Sequence, residues 1–336
     1  MICEPFVTFR IRILATILAL SASISRVSAD VLFGTATMGD SLSIKAQPFK
    51  WPVLLQTYRG FNFGGDNMPY VHAVGGATSA DVLTLREPQK VASPVQAGKV
   101  TSATFLVGGD DYADAGPKFI NGTLTGAALT TFENQIVSNI KSATNTVLNS
   151  GIEAFILGSV PFTLGEPQAA PLIDQYPDAA YASDASVQRV NSQLLAFAES
   201  VHIPYVDFYS FGKLFEGLDH VTVGGVDITF TVGSDPHNFF VDNVHPGYIG
   251  NGMLANLWME AFNIAYGTHL TLFTDQEMLQ MAGISGYTGE TFSPTIDYAS
   301  LIHFSAVPES SPVTLLLAGG IILVPILYRW RRTRPQ

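Results

Sequence analysis

Short apolar runs alternate with longer stretches of helical period through the middle of the chain. Val31-Leu32-Phe33 opens a strand that runs into Met38, and Tyr70 to Val74, Ala103 to Val107, Ala154 to Leu157 and Tyr205 to Phe208 repeat that signature. Between them lie helical segments. Trp51 to Tyr58 tolerates Pro52 in its first turn, and Ser79 to Arg86 begins on a capping serine. Ala127 to Leu148 places Leu129, Phe132, Ile136, Ile140 and Val147 near a 3.6-residue period and stops before Gly151. Ser186 to Val201 and Gly247 to Ala265 complete the strong helices. Strands buried on both faces and separated by helices predict a three-layer α/β/α sandwich around a mainly parallel five-stranded sheet. Val221 to Val232 departs from this rhythm. It alternates apolar and polar residues around Gly224-Gly225, which predicts an inserted β-hairpin. Residues 269–306, with a short helix at Gln276 to Ala282, read as a wrapping tail or a stalk after a domain spanning 30–268.

The two ends follow other rules. Arg10 and Arg12 flank a 12-residue apolar run, Ile13 to Ile24, that is short for a membrane span. Val27-Ser28-Ala29 supplies small residues for cleavage, so 1–29 is expected to be a secretory signal, with an uncleaved anchor as the alternative. At the other end, 17 apolar residues from Pro312 to Tyr328 precede Arg329, Arg331, Arg332 and Arg334. That length just crosses a bilayer core, and the arginines favour a cytoplasmic end. With Val307-Pro308-Glu309 ahead of the span, segment 307–336 resembles a PEP-CTERM sorting signal of Gram-negative bacteria, although Ser310 stands where that pattern has proline. The resemblance implies exosortase processing at the cell surface; a plain single-span anchor is the alternative.

Charge then narrows the partners. The formal net charge is −11, and residues 30–306 alone carry 10 basic and 26 acidic side chains. Nucleic acid is excluded as the main partner, because phosphate binding needs a basic face. Cys3 is the only cysteine, so a disulfide framework, a thiolate metal site and a cysteine nucleophile are excluded from the body.

In an open α/β sheet, ligands bind beyond the carboxyl ends of the strands. The segments there are Gly39-Asp40-Ser41-Leu42, Gly75-Gly76-Ala77-Thr78-Ser79, Gly108-Gly109-Asp110-Asp111 and, before the last strong helix, Asp242-Asn243-Val244-His245. Four such blocks in this order resemble the SGNH, or GDSL, hydrolases of the esterase and lipase class, over roughly residues 31–266. The resemblance implies the SGNH-hydrolase, flavodoxin-like fold and hydrolysis of carboxylic esters through an acyl-serine. Ser41 would be the nucleophile, His245 its base and Asp242 the group that fixes the imidazole tautomer. The oxyanion hole would comprise the backbone N–H groups of Ser41 and Gly76 and the side chain at position 110. No metal or organic cofactor is implied. The expected partners are an ester substrate (a small molecule, a lipid or an acetylated carbohydrate) and, through the C-terminal helix, a membrane.

Position 110 departs from the pattern. The third block normally carries asparagine, whose amide donates to an oxyanion, whereas ionised aspartate only accepts. A protonated Asp110, raised by neighbouring Asp111, or a nearby donor such as Asn67 could restore the function. A weakly active or inactive scaffold serving as a surface-displayed binding protein is the competing reading. Two smaller alternatives remain. His237 is the second candidate for the base, and Asp110, Asp111 and Asp114 spell a metal-diphosphate pattern that normally needs a helix.

Overall fold

The computed structural model describes residues 34–289 and 291–305. The expected signal at 1–29 and sorting segment at 307–336 lie outside the described residues. Four parallel strands form the centre: β1 (Thr35–Gly39), β2 (Ser102–Leu106), β3 (Ala154–Gly158) and β4 (Tyr205–Val206). Every residue of these strands is buried. Alternation along each strand sends successive side chains into different layers. Ala103, Phe105, Phe155 and Leu157 join one core with Val91, Ile136, Ile140, Val190 and Leu194. Leu106, Ile156 and Val206 join the other with Trp51, Leu55, Trp258 and Phe262. The helices Glu87–Gln96, Gly126–Leu148 and Pro177–Ser200 cover the first face, and Trp51–Arg59 and Tyr248–Tyr266 cover the second.

The α/β fold, mainly parallel with five strands in the principal sheet, is as the sequence predicts, but the fifth strand is a different one. Tyr70 to Val74 makes only a single parallel bridge, Thr37 to Val71. It still docks on β1, because Thr37 N–H donates to Tyr70 O at 3.1 Å, and His72 N–H and Val74 N–H donate to Thr37 O and Gly39 O. The fifth sheet strand is β8 (Ile302–His303), antiparallel to β4. Segment 269–305 thus returns to the sheet edge after the helix Asp275–Ala282. The expected hairpin is present as β5 (His220–Val223) and β6 (Val226–Val232), but β7 (Asn238–Phe240) pairs parallel with β6 and makes a separate three-stranded sheet. Gly224 and Gly225 have φ of 58° and 85°, the left-handed pair that a two-residue hairpin turn requires.

Four helices escaped the sequence pattern: the short Ala170–Gln175 and Phe208–Lys213, and two that carry an internal proline. Glu87–Gln96 contains Pro94, and Gly109–Ile120 contains Pro117 and starts on two glycines. Proline and glycine mark turns in a local reading, and here tertiary burial of Val91, Val95, Tyr112, Ala115 and Phe119 outweighs them.

Glu87 ties one of these helices to the end of β1. Its Oε2 accepts the Gly39 N–H at 2.8 Å, and the residue is fully buried. Gly39 has φ 134°, and a Cβ there would meet Leu106 O at 1.8 Å. Burial pushes the Glu87 carboxyl up to about 7, against the Gly39 N–H and the Lys90 charge. A carboxyl raised in the folded state stabilises fully below its unfolded pKa, and that contribution is lost as pH rises through the folded value. Glu87→Gln keeps the acceptor without the charge. The variant is expected to gain about 2 kcal/mol over the native protein at pH 8, read as a Tm rise of roughly 4–8 °C. The gain should vanish near pH 4.5. A Tm difference independent of pH would refute a buried charge at this position.

Candidate active site

Ser41 follows β1 on a short 3-10 turn, Ser41–Ser43, capped by Asp40, whose side chain accepts the Leu42 N–H at 3.0 Å. The other half of the pair comes from the loop after β7. Val241 N–H donates to His245 O at 2.9 Å, and Gly247 N–H donates to Phe239 O at 2.8 Å. These bonds close the loop so that the helix Tyr248–Tyr266 begins directly behind it. Within the loop, Asp242 Oδ1 accepts the backbone N–H groups of Val244 and His245 at 2.9 and 2.7 Å.

Residues 204 positions apart meet here. Ser41 Oγ lies 2.7 Å from His245 Nε2, and His245 Nδ1 lies 2.8 Å from Asp242 Oδ2. A carboxylate can only accept, so Nδ1 carries the proton and Nε2 is left to accept from the serine hydroxyl. Burial works against the Asp242 charge, but the His245 ring and the two backbone N–H groups outweigh it and hold the carboxyl below its usual range. The arrangement can therefore remove a proton from Ser41 and stabilise the imidazolium that results.

The loop Gly75-Gly76 runs beside Ser41; a Cβ on Gly75 would lie 3.9 Å from Ser41 Cβ. Gly76 has φ 74° and open space where its Cβ would stand. The residue type is thus demanded by backbone conformation, and the free volume is available to a substrate. Among the described residues, neither Ser41 N–H nor Gly76 N–H has a protein acceptor. Both are open donors. Asp111 fastens this loop, its carboxylate accepting the Ser79 N–H at 2.7 Å and the Ser79 hydroxyl at 2.8 Å.

Asp110 stands in the first turn of the helix Gly109–Ile120, close enough to raise the Asp40 carboxyl by its charge. Burial, followed by the charges of Asp111, Asp114 and Asp81, pushes Asp110 up to about 6. The Asp110-Asp111-Asp114 pattern does lie on a helix, contrary to expectation. Asp111 is nevertheless engaged by Ser79, and no group of three metal-ligating side chains occurs among the described residues. Asn67 is exposed, with its carbonyl bound by Lys45, and no hydrogen bond joins it to Ser41, Gly76 or Asp110 among the described residues. His237 pairs with Asp235 at 3.0 Å instead of with a serine.

Three further elements of the site were not read from the sequence. Lys50 is buried, and its Nζ donates to the Ser41 carbonyl at 2.9 Å. Burial pushes this ammonium down to about 8, while the charges of Asp242 and Asp40 oppose that shift. Glu166, which accepts from Gln168 Nε2 at 2.7 Å, is pushed up to about 8 by burial. It borders a pocket whose walls include Leu42, Phe162, Phe211, Phe230, Phe240 and Val244. The pocket adjoins Ser41 through Leu42 and His245 through Val244. A dense run of phenylalanines was the only available signal, and in sequence it is indistinguishable from core.

The sheet, its two helical layers and the loops at its carboxyl edge define an SGNH-hydrolase-like α/β protein. Residues 36–258 match the GDSL-like Lipase/Acylhydrolase family, and the chain belongs to that family of carboxylic ester hydrolases. Among solved structures it is similar to Axe2, an acetylxylan esterase from Geobacillus stearothermophilus, at 17% identity and a TM-score of 0.42 over 72% of this chain and 96% of that one. It is similar to a lipase/acylhydrolase from Enterococcus faecalis at 14% identity and a TM-score of 0.40, over 72% and 98%. A lipase from a goat rumen metagenome aligns at 14% identity and a TM-score of 0.44, over 70% and 99%. A comparison with curated proteins finds no match.

Proposed function

We propose that this protein is an exported serine esterase that cleaves carboxylic esters through an acyl-enzyme on Ser41. The observation that carries the reading is the unbroken line of hydrogen bonds from Ser41 Oγ through His245 to Asp242. His245 Nε2 takes the hydroxyl proton as Oγ attacks the ester carbonyl. Negative charge on the former carbonyl oxygen falls to the open N–H groups of Ser41 and Gly76 and to the side chain of Asp110 in its protonated form. Collapse of this intermediate breaks the bond to the alkoxy group, which leaves with the proton from His245. Water, deprotonated by the same imidazole, then releases the acid and restores Ser41. The aromatic pocket beside Leu42 and Val244 receives an apolar part of the ester.

Export rests on the sequence features at 1–29 and 307–336, which together support a place in the cell envelope or at the cell surface of a Gram-negative bacterium. The second reading, a surface-displayed binding protein on an inactive scaffold, is favoured by Asp110 alone. A fluorophosphonate probe separates the two. Covalent labelling recovered on the peptide containing Ser41, and absent from His245→Ala, is expected for the esterase. A protein that hydrolyses no short or long nitrophenyl ester and takes no label is the scaffold.

A further inference from the structure

A second concave site lies on the outer edge of the sheet, where Tyr70 and His72 dock on β1. It is an open cleft with a cavity volume of about 580 Å³, floored by Tyr70, His72 and Pro94 and rimmed by Arg86, Gln89, Lys90 and Lys99. None of these residues belongs to the serine, imidazole or oxyanion groups described above.

The charge of this cleft runs against that of the molecule. Residues 30–306 carry 26 acidic and only 10 basic side chains, yet three of those ten open into this one site. Other cations of the fold are already engaged. Arg59 pairs with Glu277, Arg189 with Glu133 and Lys213 with Glu216, while Lys50 is buried against Ser41. Among the described residues, Arg86, Lys90 and Lys99 have no side-chain hydrogen bond or ion pair. Glu87, whose charge interacts with that of Lys90, is turned inward onto Gly39 N–H and is fully buried. The cations thus have no direct ion-pair partner among the described residues.

Two independent details mark the place as more than a solvated edge. Arg86 holds φ 60° and ψ 34° between two helices, a left-handed conformation that a non-glycine residue adopts at some cost. His72 Nε2 is buried and meets no partner at full hydrogen-bond geometry, the Lys90 backbone being the group that stands nearest the ring's polar atoms. An unpaired buried polar atom is itself costly and can be satisfied by a ligand group entering from the cleft.

The mixture of side chains narrows the chemistry. A bare inorganic anion needs a small nest of donors, and this cleft is much larger. A nucleic acid or an anionic membrane would meet the acidic remainder of the surface. Cationic side chains for carboxylates, the Gln89 amide and Ser93 hydroxyl for sugar hydroxyls, and the Tyr70 ring with Pro69 and Pro94 for pyranose C–H faces suit one class of ligand together. We propose that this cleft binds an acidic oligosaccharide, its carboxylates held by Arg86, Lys90 and Lys99 and its ring stacked over Tyr70.

The test uses the full chain and trigalacturonic acid as the probe, with xylotriose as the neutral control and inorganic phosphate as the simple anion. Titration calorimetry at low ionic strength is expected to give a Kd of about 1 mM or tighter for trigalacturonate. The same titration should show at least tenfold weaker binding of xylotriose and of phosphate. The double variant Arg86→Gln/Lys90→Gln should lose at least tenfold in trigalacturonate affinity, while its turnover of p-nitrophenyl acetate stays within twofold of the native value. No trigalacturonate binding at millimolar concentration, or equal binding by the double variant, overturns the site. Equal affinity for phosphate overturns the saccharide assignment.

Discussion

Ser41→Ala is expected to lower kcat for a nitrophenyl ester by on the order of 10⁴-fold or more, with little change in Tm. The size follows from the role. Serine hydroxyls are poor nucleophiles until a base takes the proton, and groups that act as one unit fail together when any member is removed. Here the unit is defined by two contacts, Oγ to Nε2 at 2.7 Å and Nδ1 to Asp242 Oδ2 at 2.8 Å. His245→Ala should therefore fall by a similar factor, and the Ser41→Ala/His245→Ala double variant should be scarcely worse than either single variant. Additive losses would mean that the two residues do not act as a pair. Steady-state kinetics on the four proteins, with circular dichroism as a check of folding, decide between these outcomes. The hydroxyl itself makes no other side-chain hydrogen bond among the described residues, so its loss should cost the fold little.

Asp110→Asn is expected to raise kcat/KM at pH 8 by roughly 10–100-fold. One oxyanion donor is worth about 2.7–4 kcal/mol of barrier, and an ionised carboxylate cannot supply it. With the Asp110 carboxyl pushed up to about 6 by burial and by Asp111, Asp114 and Asp81, the protonated donor is present below that pH and lost above it. The sign is therefore definite. Native kcat/KM should show a declining limb as pH rises through about 6, and Asp110→Asn should lack that limb. At pH 5 the two proteins should differ far less than at pH 8. A variant with lower turnover at pH 8 would show that the carboxylate at position 110 is needed in its charged form. An unchanged pH profile would show that position 110 does not face the oxyanion.

Burial also separates the three acids near the nucleophile. Asp242 sits on a half-open loop with two backbone donors and the imidazole, and it stays ionised. Asp40 and Glu166 lie deeper, and burial pushes each up to about 8. The same residue chemistry thus gives one carboxyl held ionised and two pushed toward the neutral form within one site, because desolvation and hydrogen-bond supply differ over a short distance.

Much of this was legible in the residues themselves. Consecutive apolar residues in Phe105-Leu106 and Phe155-Ile156 report two covered faces, and the period of Ile136, Ile140 and Val147 reports a helix on one of them. The four polar blocks at strand ends were visible because loops beyond a parallel sheet are short and carry distinctive residue types. The ordered appearance of Gly39-Asp40-Ser41 and Asp242 to His245 therefore pointed to Ser41 and His245 as a pair before the 2.7 Å contact between them was known.

Other features had no local signature. Pro94 and Pro117 hid two helices whose burial, not their propensity, holds them in place. The fifth strand came from Ile302–His303 because the segment after the helix Asp275–Ala282 returns to pair with β4, leaving Tyr70 to Val74 with one bridge at the opposite edge. Glu87 reaches Gly39 across 48 residues, and Trp51 N–H reaches Asn251 across 200. Lys50, Glu166 and the cationic rim of the outer cleft belong to the same group. By itself the sequence determined the layer architecture and singled out the candidate site residues, since both depend on spacing and residue type along the chain. Only the tertiary structure decided which charges are buried, which donors stay open and which cations lack partners, because desolvation and pairing depend on neighbours brought together from distant parts of the chain.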